Sequence, residues 1–139
     1  MIEGWRGDDY LVLFEDRAPT LEQAYGLFGA LSGHRLVGLR GWDDFIVEDG
    51  AGAYFTVPTV PLSARYLKPF ALSKNQLKLK PDDRLTDRIK WYTTPIVFGG
   101  DPNLGANVTW VTLDQHAQLV KWWNQKYQEV KGHGGTPAA

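Results

Sequence analysis

Three pairs of adjacent carboxylates, Asp8-Asp9, Asp43-Asp44 and Asp82-Asp83, are the residues whose types and spacing come nearest to chemistry. Two carboxylates held together can divide general acid and base work, or share a divalent metal. Neighbours along a strand point to opposite faces, however, so an adjacent pair does not converge on one point. Each pair also falls at the edge of an expected element, where Asp commonly caps backbone groups or faces water. The pairs are therefore read as structural.

Other catalytic sets fail on spacing. The three histidines, His34, His116 and His133, make no His-x-x-x-His or His-Glu-x-x-His pattern, so a zinc enzyme lacks its ligands. There is no Cys, which removes thiolate nucleophiles, disulfides and Cys-based metal sites. Ser occurs at 32, 63 and 73, never in a Gly-x-Ser-x-Gly elbow. Gly99-Gly100 lacks both phosphate-cradling glycine patterns. The basic stretch Lys74, Lys78, Lys80, Arg84, Arg88 and Lys90 is interleaved with Asp82, Asp83 and Asp87, which gives nucleic acid no continuous positive face. The expectation is no catalytic residue, no metal, no cofactor and no nucleic-acid partner.

The elements around these residues describe an α+β single domain. It has a mostly antiparallel sheet with a central hairpin, a helix in the N-terminal half and a long C-terminal helix. The 139 residues suffice for one core and are too few for two. Residues 1–131 are expected to form the domain and 132–139, Gly-rich and without apolar content, a flexible tail. Tyr10–Phe14 (YLVLF) is a continuous apolar run, as in a strand buried on both faces. A helix starts from Thr20, which has capping-box spacing to Gln23; Leu21, Tyr25, Phe28 and Leu31 recur at helical spacing, and Gly33 is the expected stop. Arg35–Leu39 is a strand. Asp43–Glu48 and Ala53–Val57 flank Asp49-Gly50-Ala51-Gly52, the clearest hairpin in the chain. Pro58 and Pro61 make Val57–Leu62 an edge or an exit. Ser63–Leu72 holds a short helix, Leu77–Lys80 reads as an exposed edge strand, Ile89–Tyr92 as a strand or a single turn, Val108–Val111 as a short strand, and Gly99–Gly105 as a loop.

The last helix, Leu113–Val130, opens at Thr112, whose spacing to Gln115 repeats the capping box. Leu113, Ala117, Val120, Tyr127 and Val130 form its apolar stripe. Trp122 and Trp123 are about 100° apart around the axis, so both cannot face one core. The surplus ring is expected against the tail or the Pro-rich exit after Val57, and His116, one Trp and Asn124 remain for other duties.

Net charge is −1 but is unevenly spread. Residues 1–57 carry ten acids against four arginines, and residues 58–139 eleven bases against six acids. Acidic and basic halves can neutralise each other by packing, or an acidic face can attract a basic partner. Trp is a leading anchor residue at protein interfaces, and Trp42 stands beside Asp43 and Asp44. This makes Trp42, Asp43, Asp44, Glu48 and Asp49 the expected recognition surface, with His116 and Trp122 as further contacts.

The run His34–Leu62, HRLVGLRGWDDFIVEDGAGAYFTVPTVPL, resembles the central part of SUKH (SMI1/KNR4-like) proteins, in which a helix leads to a strand, a hairpin across an acidic, Gly-bearing turn and a Pro-bearing exit. The segment Pro95–Tyr127, with GGDPNLGANVTW ahead of a helix bearing His and Trp-Trp-Asn, resembles bacterial immunity-type proteins. Together they cover about half of the chain. The chain departs from the pattern at its N-terminus, where the helix with Leu-Pro-x-x-Tyr is missing. The resemblance implies an antitoxin: an immunity protein that binds a cognate secreted polymorphic toxin and occludes it, with no catalytic residues; the acidic residues add the expectation that this toxin is basic. The alternatives are a small carboxylate-dependent hydrolase and a structural or assembly subunit of a phage or secretion apparatus. A monomer or small homo-oligomer is expected, with no membrane contact. The N-terminus lacks signal-peptide character and no apolar run nears the ~20 residues of a membrane helix, so a cytoplasmic location is expected.

Overall fold

A computed structural model of the chain describes residues 2–27, 31–72, 77–100 and 107–132. Gly7-Asp8 is a tight turn that folds β1 (Ile2–Arg6) back on β2 (Asp9–Leu13), with Arg6 opposite Asp9. Helix α1 (Ala18–Tyr25) then leads to β3 (Arg35–Arg40), β4 (Asp44–Glu48), β5 (Tyr54–Pro58) and the two-residue β6 (Lys68–Pro69). These strands form one six-stranded antiparallel sheet in sequence order, β1-β2-β3-β4-β5-β6. A separate ribbon pairs β7 (Ile89–Tyr92) with β8 (Val108–Val111), and α2 (Leu113–Gly132) comes directly after it. The α+β class, the antiparallel sheet with its central hairpin and the long last helix stand as expected. No helix among the described residues is long and apolar enough to cross a membrane.

Both faces of the sheet are covered, as the unbroken apolar run of β2 requires. Tyr10, Val12 and Phe14 belong to the main core with Leu39, Phe45, Val47 and Val57, beneath α1, α2 and the ribbon. The alternate residues Leu11 and Leu13 join Val37 and Ile46 on the other face, where Phe70, Leu72, Leu77 and Leu79 lie over them. The period-two alternation of the strand thus feeds two cores from one stretch.

Three local expectations are corrected. Helix α1 begins at Ala18, with Pro19 in its first turn, so Thr20 does not cap it. It ends at Tyr25, well before Gly33, because Gly26 takes the left-handed cap (φ 73°). The Gly26 and Leu27 amides then bond back to Gln23 and Glu22, a C-terminal closure that only a residue without Cβ adopts freely. Leu77–Lys80 is not an edge strand: Leu77 and Leu79 lie over the second core, and only Lys80 bridges to Trp5 of β1. Of the two readings of Val57–Leu62, the exit holds: β5 ends at Pro58, and β6 pairs on its outer side. Phe28 and Gly29, Lys74, loop residues 101–105 and the tail from His133 lie outside the described residues.

Gly38 marks the closest approach inside the sheet. A Cβ there would lie 2.0 Å from the Val12 carbonyl oxygen, at the point where the β3–β4 register shifts. At the other end of the chain, the capping box is formed in both directions. The Gln115 amide donates to Thr112 Oγ1 at 3.2 Å, and the Thr112 amide donates to Gln115 Oε1 at 3.0 Å.

Candidate functional site: an acidic cleft at one end of the sheet

In an antiparallel meander, every second strand starts at the same end. The starts of β2 and β4 and the end of β3 therefore coincide, with Arg40 opposite both Leu11 and Asp44. Four carboxylates, Asp8, Asp9, Asp43 and Asp44, line one open cleft of about 290 Å³ there. The cationic residues lining the same cleft are Arg40 and Lys90, and Arg6 lies 3.9 Å from Asp9 beside it, so four carboxylates face three cations. Asp8-Asp9 joins the site through topology. The available signal was that both acidic pairs directly precede strands, with one antiparallel strand between them.

Ion pairs fix the arrangement. Arg40 Nε donates to Asp9 Oδ1 at 3.1 Å, and its Nη1 lies 3.7 Å from Asp44 Oδ2. Lys90 Nζ donates to Asp43 Oδ2 at 2.7 Å and to Tyr92 Oη at 3.3 Å, and lies 4.7 Å from the Tyr92 ring centroid. Desolvation pushes the carboxyl of Asp43 above its ordinary range, against the pull of the Lys90 hydrogen bond. Asp44 is also raised, first by desolvation and then by the Asp43 charge, with Arg40 opposing. Burial works against the charge of Lys90, yet the hydrogen bond and charge of Asp43 hold its pKa above the usual value. The ribbon pairing sets Trp110 directly opposite Lys90, so Trp110, 43 % exposed, flanks the ion pair.

The turn that presents Asp43 is strained. Gly41 and Trp42 both have positive φ, 56° and 62°, and a bulky residue there costs about 1–3 kcal/mol. Packing holds Trp42 in place. Its ring stacks on Tyr10 at 4.8 Å and meets Trp110 edge-on at 5.3 Å. Trp42 is 8 % exposed, so the expectation of an exposed aromatic anchor at this position is overturned. It forms the floor under Asp43, and its Nε1 is buried without a hydrogen-bond partner.

The expected patch of Asp43, Asp44, Glu48 and Asp49 divides between the two ends of β4. Glu48 pairs with Arg35, and Asp49 closes the β4–β5 turn, accepting from the Ala51 and Ala53 amides, each at 2.9 Å. Those backbone bonds, Ala53's first, hold the Asp49 carboxyl below its ordinary pKa. Both residues do local structural work away from the cleft.

His116 is fully buried, which overturns its assignment as a surface contact. Its ring lies between Tyr25 and Trp91, with Nδ1 2.7 Å from Tyr25 Oη, and Nε2 has no partner. Burial drives its pKa down to about 3, so the ring is neutral. Trp122 is 55 % exposed and meets Trp123 edge-on, while Trp123 packs on Phe98. The exit after Val57 is held instead by Asn124, which accepts from the Leu62 amide and donates to the Thr59 carbonyl.

Among the described residues, no grouping of His, Asp and Glu has the arrangement to hold a metal ion. No family model matches the chain, and no match is found among curated proteins or solved structures.

Proposed function

We propose that this chain is a SUKH-like immunity protein that binds a basic protein toxin and blocks it by occlusion, with the acidic cleft receiving the toxin. The carrying observation is the convergence of Asp8, Asp9, Asp43 and Asp44 on one cleft, where Arg40, Lys90 and, against Asp9, Arg6 leave negative charge in excess. Excess charge of one sign in a cleft steers an oppositely charged partner and fixes its register more than it adds affinity. The exposed rings of Trp110, beside the cleft, and Trp122, on α2, are candidate anchors that desolvate on contact. The SUKH component rests on the likeness of His34–Leu62, whose strand, hairpin and Pro-bearing exit fall in the implied order.

The test is co-expression with the products of neighbouring genes that are toxic to the cell. Cells should survive, and the two proteins should co-purify as a complex that weakens as salt rises. Replacing Asp43→Asn and Asp44→Asn together should slow association at least tenfold. No protection and no complex would reject the reading.

A further inference from the structure

We infer that a narrow slot beside the acidic cleft receives one long cationic side chain, an arginine or lysine, presented by a protein partner. The inference rests on the partner-binding function proposed for the cleft and names what the partner must carry.

The slot has a volume of about 180 Å³, the scale of an engineered protein cavity that takes up one benzene, about 150 Å³. One side chain fits, and a helix or strand does not. Its walls are apolar: Pro58, Val60, Pro95 and Ile96. Two of them are prolines, which bring no backbone N–H that would demand a partner. Asp43 and Asp44 line the same slot, as does the Tyr92 ring. A methylene stem ending in a cation matches that order of surfaces, since such side chains lay their stems on apolar walls and keep the charge among polar groups. An anion is repelled, and a neutral apolar chain leaves desolvated carboxylates uncompensated.

Asp44 has room for the cation. Its neighbour Arg40 stands 3.7 Å away, longer than a hydrogen bond. Of the other nearby cations, Lys90 is held by Asp43 and Tyr92, and Lys68 acts on Asp44 through its charge alone. Ile96 at the slot is 48 % exposed, so it offers apolar surface for an incoming stem to cover.

The experiment is an NMR titration of the full ¹⁵N-labelled chain with three blocked amino-acid amides: arginine, lysine and the neutral norleucine. The amides of Val60, Tyr92 and Ile96 should shift saturably with arginine or lysine, at least tenfold more tightly than with norleucine. The stronger of the two names the side chain. Asp44→Asn should abolish the difference. An equal response to norleucine, or no saturable shift, overturns the inference. So does broadening of these amides with protein concentration alone, which assigns the slot to a second copy. A slot that binds cations in a chain that protects against no toxin rejects the immunity reading and keeps the slot; protection with an unresponsive slot does the reverse.

Discussion

At the residue scale, three side chains carry costs that the fold offsets elsewhere. Trp42 sits in a left-handed turn because its ring closes the core between Tyr10 and Trp110. Trp42→Gly relieves about 1–3 kcal/mol of strain but loses a buried Trp ring, typically about 3–5 kcal/mol. The variant should therefore be less stable by about 2 kcal/mol in urea unfolding, despite its better turn chemistry. His116 is the second. Its pKa is about 3 in the fold against 6.5 for the free group, so between those pH values the unfolded chain binds a proton the fold refuses. Its contribution is complete above pH 6.5 and falls as pH drops towards 3, by at most about 1.4 kcal/mol per pH unit. The raised carboxyls of Asp43 and Asp44 act in the opposite sense near their own titration. Urea midpoints should fall from pH 7 to pH 4.5, and His116→Phe should flatten that slope. The third is Lys90. Lys90→Met leaves Asp43 without its hydrogen-bonded cation, so the Asp43 carboxyl should titrate higher still, as read by carboxyl NMR. None of these roles was legible locally. The partners of His116 and Lys90 come from distant segments, and only the assembled sheet end shows that Asp8-Asp9 and Asp43-Asp44 share a cleft.

At the element scale, the sequence was readable where a local pattern and the tertiary need agree. The apolar run of β2, the Asp-Gly-Ala-Gly hairpin and the capped α2 all formed as their residues dictate. Thr112→Ala should cost about 1 kcal/mol, the usual worth of a cap, measured as a lower melting temperature. The start of α1 misled because Pro19 and Thr20 compete for the first turn, and the proline won. β1 was missed because Gly4 interrupts its alternation; Gly7-Asp8 was the turn that announced it. Gly38 is the least replaceable position in the sheet. Gly38→Ala drives a methyl into the Val12 carbonyl and should destabilise by about 1–3 kcal/mol or more.

At the scale of the whole molecule, the uneven charge is resolved in both of the ways its distribution allows. Lys90 of the basic half neutralises Asp43 of the acidic half. Arg35 and Arg40 neutralise neighbours within the acidic half, and the cleft keeps a surplus. The long sides of the sheet are closed differently. On β1, the Trp5 amide and carbonyl are both bonded to Lys80. On the far side, β6 is two residues long, and one is Pro69, which has no amide to donate. On each side, part of the outer backbone that a foreign strand would pair with is already used or cannot donate. Main-chain pairing, which is tolerant of sequence, is thereby hindered on these two sides, and the strand ends are left open to contact through side chains. The same features work against pairing of this sheet, edge to edge, between copies of the chain.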